Sequence, residues 1–265
     1  MCTILALHRV RADVPLIVAA NRDEFYARTA TGPQVLAEGI VGGRDEQAKG
    51  TWLGVSKKGL VVAVTNQRTY APPDPSRHSR GELVLEALHQ GDVDGIDRLL
   101  RSLDARRYNP FNLLYGDGRA LHVAYARDEP LITIEAFEPG VVVLANDRVG
   151  APEYPKTRRA EALIAPLLDA PLPALREGLH AVLRDHEKPP LEAIPIPETR
   201  PAFGGSAIFT HELLRELQAL CIHTAAYGTR SSSMVMLREG EVLSYEHAEG
   251  APCTSPFVDF TSLVR

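Results

Sequence analysis

Met1-Cys2-Thr3-Ile4-Leu5-Ala6-Leu7 and Leu16-Ile17-Val18-Ala19-Ala20-Asn21-Arg22-Asp23-Glu24 are the two stretches that decide the fold of this chain. Each is a short apolar run, and the charged segment 8–15 between them ends in proline, so the sequence predicts a β-hairpin. The first run opens with a cysteine directly after the initiator methionine. The second run ends in four consecutive polar residues.

Cys2 is a candidate nucleophile because its position supplies its own base. Removal of Met1 would leave Cys2 with a thiol and a free α-amine, and that amine titrates near pH ~7.7–8.0, against ~8.5 for a free thiol. The amine can therefore accept the thiol proton at neutral pH, as in other N-terminal nucleophiles. The alternative is a small buried hydrophobe that opens a strand, which is the usual state of a free cysteine and the favoured interpretation of Cys2 taken alone.

Composition and charge exclude several classes of protein. The chain has 265 residues, of which 45% are hydrophobic and 24% charged, as in ordinary soluble globular proteins. A net charge of -5 argues against nucleic-acid binding, which needs a basic face. The apolar runs are too short to span a membrane, and we expect no secretory leader and no integral membrane association. The expected compartment is the reducing cytoplasm.

The cysteines and motifs give no sign of a metal or a nucleotide. Cys2, Cys221 and Cys253 lack CxxC spacing, which predicts neither a disulfide framework nor a structural zinc site. Cys221 and His223 would share one face of a strand and could chelate an ion, but a buried core pair is the favoured interpretation. No GxGxxG follows a strand and no Walker loop occurs, so nucleotide binding has no support.

The order of the predicted elements indicates the fold class. Strands are expected at residues 2–7, 16–20, 40–43, 51–55, 60–65, 111–115, 121–125, 131–136, 141–145, 233–237 and 241–247. Helices are expected at residues 79–90, 93–103, 157–168, 172–184 and 211–220, and loops at 25–39 and 189–201. Ser79 and Glu82 have the spacing of a capping box. Strands in hairpin groups and helices in pairs favour an α+β protein of antiparallel sheets with helices packed outside.

Polar residues recur where the predicted strands end. Asn21 and Asp23 end one strand, Asn66 and Asn146 end two others, and Arg230 precedes a fourth. Each one alone is more often a turn former. An N-terminal thiol nucleophile nevertheless needs such a set: an acid to hold the α-amine, amides to donate to the oxyanion of a tetrahedral intermediate, and an arginine that favours the thiolate.

A family resemblance joins these positions. The motifs that carry it are Cys2, Ala20-Asn21-Arg22-Asp23-Glu24-Phe25-Tyr26, Gly50-Thr51-Trp52-Leu53-Gly54, Thr65-Asn66, Ser79-Arg80-Gly81-Glu82-Leu83, Tyr108-Asn109-Pro110-Phe111-Asn112-Leu113 and Tyr227-Gly228-Thr229-Arg230. They resemble the NRDE-motif family, the transport-and-Golgi-organisation family of bacteria and eukaryotes. The resemblance runs in order through nearly the whole chain, so we expect one domain over residues 1–265. Lys49, Ala145 and Tyr154 depart from the family pattern.

The resemblance implies a fold and a site. The family is similar to the N-terminal-nucleophile (Ntn) hydrolases of the choloylglycine hydrolase and penicillin V acylase branch, whose fold is a four-layer αββα sandwich of two antiparallel sheets. The implied catalytic roles are Cys2 as nucleophile, Asp23 on the α-amine, Asn66 and Asn146 as oxyanion or substrate contacts, and Arg230 near the thiol. The implied substrate-binding residues are Asn21, Arg22, Trp52 and Arg68. For Arg22 and Glu24, a structural ion pair is an equally good interpretation.

Two functions follow from this resemblance. The first is an enzyme in which the Cys2 thiolate attacks an amide or thioester bond of a small acylated molecule, as a hydrolase or an acyltransferase without a cofactor. The alternative is a non-catalytic protein that binds and carries haem, acyl-CoA or a lipid in the same pocket, because a fold does not fix a function. In both cases the partner is a small molecule.

Overall fold

The computed structural model describes residues 2–69, 72–194, 202–203, 207–208 and 210–265. The strands in chain order are β1 Thr3–His8, β2 Leu16–Phe25, β3 Ala30–Ala37, β4 Ile40–Asp45, β5 Leu53–Ser56, β6 Leu60–Asn66, β7 Phe111–Gly116, β8 Leu121–Ala126, β9 Thr133–Ala136, β10 Gly140–Leu144, β11 Ala202–Phe203, β12 Ala207–Ile208, β13 Tyr227–Arg238, β14 Glu241–Glu249 and β15 Val258–Asp259. The α-helices are α1 Arg80–His89, α2 Val93–Ser102, α3 Pro155–Ile164, α4 Leu172–Leu183 and α5 His211–Glu216.

The strands form two large antiparallel sheets. The six-stranded sheet has the order β10-β1-β2-β13-β14-β15, and the seven-stranded sheet runs from β3 to β9 in sequence order. The predicted hairpin is confirmed, with Thr3 opposite Asn21 and Ala6 opposite Val18. β2 and β13 lie in the interior of the six-stranded sheet and pair over most of their length.

Three hydrophobic clusters separate four layers. One cluster fills the space between the sheets and includes Val18 and Val61. A second packs α1 and α2 on the outer face of the seven-stranded sheet, and a third packs α3 and α4 on the outer face of the six-stranded sheet. The structure therefore confirms the predicted αββα sandwich. Burial of these apolar side chains is its main source of stability.

Most of the predicted elements exist, but several boundaries differ. β2 continues to Phe25 instead of ending near Ala20, and β13 begins at Tyr227 instead of Ser233, so Asn21, Asp23 and Arg230 lie within strands. Residues 25–39 were expected to be a loop, but β3 lies there. It is an edge strand with mixed burial. Pro33 has no backbone N–H to donate, and an edge strand tolerates this because one side of its backbone has no partner strand. The helix expected at 211–220 ends at Glu216. Of the loop expected at 189–201, residues 195–201 lie outside the described residues.

Side-chain hydrogen bonds join the ends of the two sheets. Thr65 at the end of β6 donates its hydroxyl to the Ala145 carbonyl, just beyond β10, at 2.7 Å. The buried amide of Asn112 on β7 donates to Thr65 Oγ1 at 3.0 Å and to the Asp147 carbonyl at 3.2 Å. Buried polar groups of this kind hold backbone segments in place because leaving them unpaired is costly. The ends of β6 and β10 are therefore fixed side by side.

None of the helices in the described ranges has the length and apolar character needed to cross a bilayer.

Gly50 controls how α1 sits against the sheet. A Cβ at this position would lie 2.2 Å from the Gly81 carbonyl carbon and 2.5 Å from the Glu82 nitrogen, both backbone atoms in the first turn of α1. Gly50→Ala should therefore lower the free energy of unfolding by about 1–3 kcal/mol, measured by urea denaturation. Gly178→Ala on α4 is the control, since its Cβ would meet only the flexible Leu167 side chain. An equal loss in both variants would contradict a specific constraint at Gly50.

Candidate active site

A cleft of about 540 Å³ opens beside the N-terminal end of β1. Five of the nine predicted site residues line it: Cys2, Arg22, Asp23, Trp52 and Asn66. These residues come from both sheets, so the αββα arrangement, and not one local motif, forms the cleft. Its volume suits a small molecule.

Cys2 lies against the end of β2. Its Sγ is 3.9 Å from the Asp23 carbonyl oxygen, which also accepts a 2.8 Å hydrogen bond from the Tyr227 hydroxyl. Burial raises the pKa of the Cys2 thiol above its ordinary value, the carboxylate of Asp23 adds to this, and Arg22 opposes it. The thiol is therefore protonated at neutral pH, and attack on a carbonyl needs a base to take its proton.

Asp23 is a buried carboxylic acid in the pairing of β2 with β13. It is 3% exposed, and its Oδ1 accepts a 2.6 Å hydrogen bond from the hydroxyl of Thr229, the residue opposite it in the strand register. Burial raises the pKa of Asp23, whereas the charge of Lys156 and the Thr229 hydrogen bond lower it. A buried titratable group of this kind is typical of functional sites.

Lys156 belongs to this site, and the sequence analysis assigned it no role. It lies in the first turn of α3 and is 1% exposed. Burial lowers the pKa of Lys156, and the negative charges of Asp23 and Cys2 oppose that shift. Only a weak sequence signal could have predicted this: a lysine in the first turn of a helix is unfavourable with the helix dipole, which suggests that it has another partner.

Asn66 and Asn146 are neighbours, as the predicted shared role requires. Asn66 ends β6, is exposed and lines the cleft. Asn146 is buried, and its Nδ2 donates to the Asn66 carbonyl at 2.6 Å, so one of its N–H donors already serves the structure. The position of Asn66 is thereby fixed by Asn146. Asn66 is the better placed of the two to meet a substrate.

Asn21 has a structural position. It is 1% exposed, and its Nδ2 donates to the carbonyls of Leu183 and Leu220 at 2.9 Å each, while its Oδ1 accepts from the Ser232 hydroxyl. Asn21 is not among the described residues that line the cleft. The structure therefore uses it to hold the end of α4 and the segment before β13 against the sheet, and gives no support to a substrate contact.

Arg22 and Glu24 belong to one ion-pair network, but they do not form the direct ion pair with each other that the sequence suggests. Arg22 Nη2 lies 3.4 Å from Asp45 Oδ2, and Arg28 Nε lies 2.7 Å from the same oxygen. Glu24 is 3.8 Å from Arg28. The Arg22 guanidinium also lies 4.6 Å from the centre of the Trp52 ring, a cation–π contact. Arg22 and Trp52 thus form one wall of the cleft.

Arg230 and Arg68 do not line the cleft within the described residues. Arg230 is the extra residue of a β-bulge, and its guanidinium donates to the Tyr26 carbonyl and lies over the Tyr26 ring. The structure therefore does not reproduce the expected placement of Arg230 at the thiol, because the bulge turns its side chain towards Tyr26. Arg68 stacks on Tyr154, with its Cζ 4.2 Å from the ring centre.

Arg80 lines the cleft, and no role for it was predicted from the sequence. It is the first residue of α1, and its Nη1 donates to the Pro110 carbonyl at 3.3 Å. Burial lowers the pKa of Arg80 to about 10, and Arg28 contributes to this, while Glu24 and Cys2 act in the opposite direction. Within the described ranges no carboxylate forms an ion pair with it. Arg80 is therefore a charged donor on the cleft that a ligand can use.

The two sheets with their outer helical layers define an Ntn-hydrolase-like fold. The C2A mutant of conjugated bile acid hydrolase from Clostridium perfringens superposes with a TM-score of 0.51 at 12% identity, covering 100% of this chain and 94% of that one. Penicillin V acylase from Agrobacterium tumefaciens gives a TM-score of 0.49 at 12% identity, covering 100% and 87%. At this identity the first likeness concerns the fold alone.

Sequence comparison defines the family. The family model Transport and Golgi organisation 2 (TANGO2) matches residues 1–249. The human Transport and Golgi organization protein 2 homolog is 31% identical over 239 residues, covering 84% of this chain and 82% of that protein. The mouse Transport and Golgi organization 2 homolog is 30% identical over 245 residues, with the same coverage. The chain belongs to the TANGO2 family, as its motifs predicted.

The charges of Asp23 and Lys156 should be energetically coupled. Asp23→Asn and Lys156→Met each remove one of two opposite buried charges, and each should cost about 3–5 kcal/mol of unfolding free energy at pH 7. The double variant removes both charges, so its cost should fall at least about 1 kcal/mol short of the sum. Urea unfolding of the four proteins measures this coupling. Asp23→Asn combined with Lys188→Met is the control, because Lys188 pairs with Glu216 and its cost should simply add to that of Asp23→Asn. If the costs of Asp23→Asn and Lys156→Met also simply add, the two charges do not interact.

Proposed function

We propose that this protein is an N-terminal-cysteine hydrolase or acyltransferase that cleaves an amide or thioester bond in a small, negatively charged acylated molecule. The observation that carries the proposal is that Cys2 lines one cleft together with Asp23, Asn66 and Arg80. This set contains a nucleophile, a buried acid, an amide at a strand end and a cation. The cleft has room for a small molecule but not for a folded protein partner.

The first step forms an acyl-enzyme. Removal of Met1 would give Cys2 a free α-amine, which takes the proton of the thiol as Sγ bonds to the carbonyl carbon of the substrate. Because burial keeps the thiol protonated at rest, this transfer has to accompany the attack. The tetrahedral intermediate then loses its amine or thiol leaving group, which departs with the proton from the α-amine.

The second step releases the acyl group. Water, or the acceptor in an acyl transfer, gives its proton to the α-amine and attacks the thioester carbon. The carbon–sulfur bond breaks, the proton returns to the Cys2 sulfur, and the acid or transferred product leaves. In both steps the amide of Asn66 donates to the oxyanion. The Asp23 carboxylate, once ionised, pairs with the protonated α-amine and holds that group at the thiol.

The cleft also indicates the charge of the substrate. Arg77 on the cleft is paired with Asp128 at 3.0 Å, and Arg28 is paired with Asp45. Arg80 has only the Pro110 carbonyl as its hydrogen-bond acceptor among the described residues. A carboxylate or phosphate on the substrate would complete its hydrogen bonding, and Arg is the residue best suited to such bidentate contacts.

The proposal is tested on protein made without an N-terminal tag. Intact mass first shows whether Met1 has been removed, and the protein is then incubated with N-acyl amides and acyl thioesters that carry a carboxylate or phosphate. The expected result is a covalent acyl adduct on Cys2 and release of the leaving group, both absent in Cys2→Ala. If Met1 is removed and no substrate acylates Cys2, the catalytic proposal fails. Binding of haem and acyl-CoA would then be measured to test ligand carriage.

If Asn66 donates to the oxyanion, Asn66→Ala should remove roughly 3–4 kcal/mol of transition-state stabilisation. kcat/KM should then fall by about two to three orders of magnitude. Steady-state kinetics on the best substrate measures this. Gln47→Ala is the matched control, because it removes another side-chain amide from the same cleft; its kcat/KM should change little. A near-normal rate in Asn66→Ala would remove Asn66 from the mechanism.

Arg80→Met should raise KM for negatively charged substrates about 10–100-fold, because a charge-assisted hydrogen bond contributes about 1.5–3 kcal/mol. Neutral analogues should show a much smaller change. Arg77→Met is the control for loss of positive charge from the cleft, and it should leave KM nearly unchanged since Arg77 is already paired. Equal effects of both substitutions would point to a general field of charge and contradict a specific contact with Arg80.

A further inference from the structure

A second cluster of reactive side chains lies outside the cleft. His186, Cys221, His223 and Cys253 each present one ligand-type atom, and these four atoms lie within 4.8 Å of one another. The residues come from three separate segments: the segment that follows α4, the segment before β13, and the loop after β14. Sequence spacing predicted no such site, because only two of the four are close in sequence.

The distances between these atoms match a tetrahedral zinc site. Cys221 Sγ lies 3.7 Å from Cys253 Sγ and 3.7 Å from His223 Nε2, and His223 Nε2 lies 3.2 Å from Cys253 Sγ. A zinc ion bound tetrahedrally, at about 2.3 Å to sulfur and about 2.0–2.1 Å to nitrogen, holds its ligands about 3.8 Å apart for two sulfurs and about 3.5 Å apart for sulfur and nitrogen. Cys221, His223 and Cys253 are therefore already spaced close to a tetrahedral arrangement, and the His186 ligand atom lies within 4.8 Å of theirs.

The surrounding hydrogen bonds orient the ligands. His186 Nδ1 lies 2.9 Å from the Cys221 carbonyl, so Nδ1–H donates to that oxygen and Nε2 is left with the lone pair that binds metals. The Cys221 nitrogen donates to the Asp185 carbonyl at 2.8 Å. Cys221 is buried but His223 is exposed, so the expectation that these two residues form a buried core pair is wrong for His223.

We propose that His186, Cys221, His223 and Cys253 bind one Zn²⁺ ion in a closed structural site. Two thiolates and two neutral imidazoles are a donor set that zinc prefers, and four protein ligands leave no position open for a substrate. Binding releases the two thiol protons to solvent and changes no oxidation state. The ion joins the end of α4, the entry to β13 and the loop after β14.

The site supports the cleft through one backbone segment. Ile222, between the ligands Cys221 and His223, donates its N–H to Thr229 Oγ1 at 2.9 Å and accepts from the Thr229 nitrogen at 2.8 Å. Thr229 in turn donates to Asp23. Ligands on both sides of Ile222 therefore fix the segment that orients the buried acid. This role does not depend on whether the cleft is catalytic.

The first test is the metal content of the full-length protein, purified under reducing conditions without a metal-affinity tag. Elemental analysis should find about one Zn²⁺ per chain, and Cys253→Ser and His223→Ala should each fall to about one tenth of that or less, since losing one of four ligands opens the site. Both positions are exposed, which limits the damage to the fold. Cys2→Ala and His89→Ala are the matched controls and should retain the ion.

The second test reads the geometry. Protein stripped with a chelator and titrated with Co²⁺ should show the ligand-field and thiolate charge-transfer bands of a tetrahedral site at one equivalent. Stripping should lower the Tm by about 5 °C or more, because the ion binds only the folded chain. Absence of zinc, its loss in Cys2→Ala, or octahedral cobalt spectra would each overturn the proposal. A Cys221–Cys253 disulfide in the native protein, seen as a mass 2 Da lower than the reduced chain, would overturn it as well.

Discussion

The burial of the Asp23 carboxylate is the constraint on which the rest of the structure depends. An ionised carboxylate away from water is costly unless opposite charge or hydrogen-bond donors surround it. Here the hydroxyl of Thr229 comes from the neighbouring strand, and the charge of Lys156 comes from the helical layer. Both partners require the six-stranded sheet and α3 to be assembled first. The site is therefore a product of the tertiary fold and cannot form in the isolated hairpin.

The alternation of β2 explains why four adjacent polar residues have different roles. Successive side chains of a strand point to opposite faces. Asn21 holds the end of α4 and Asp23 faces the charge of Lys156 on α3, whereas Arg22 lies towards Trp52 and Asp45 at the other sheet. One motif thus makes contacts both to the helical layer and to the other sheet. The resemblance gave the motif as a unit. In the structure Arg22 and Asp23 line the cleft from opposite faces of β2, whereas Asn21, on the same face as Asp23 but one step nearer the sheet interior, is buried away from it.

Local patterns predicted the hairpins, most helices and antiparallel sheets with helices outside, because each depends on apolar periodicity, turns and caps that neighbouring residues determine. The four-layer arrangement came from the family resemblance. Of the predicted site residues, Asn66 ends its strand as expected, whereas Asp23 lies inside β2, which continues to Phe25. The site was not predicted where a distant contact decides the outcome. The bulge that turns Arg230 aside arises from pairing between β2 and β13, and the importance of Lys156 and Arg80 arises from burial by elements far away in sequence. Sequence spacing contains neither fact.

The four-ligand cluster and the cleft depend on the same stretch of chain for a physical reason. The pKa of a buried acid changes steeply with the distance of its hydrogen-bond donor, because the low dielectric of the interior amplifies each contact. Thr229 can hold Asp23 at a constant pKa only if its own backbone is fixed. The sheet fixes one side of Thr229, and Ile222 fixes the other through two hydrogen bonds. Ile222 belongs to a short segment outside the large sheets, so its position needs a further restraint. The proposed metal ligands on either side of it would provide that restraint without adding another hydrophobic layer.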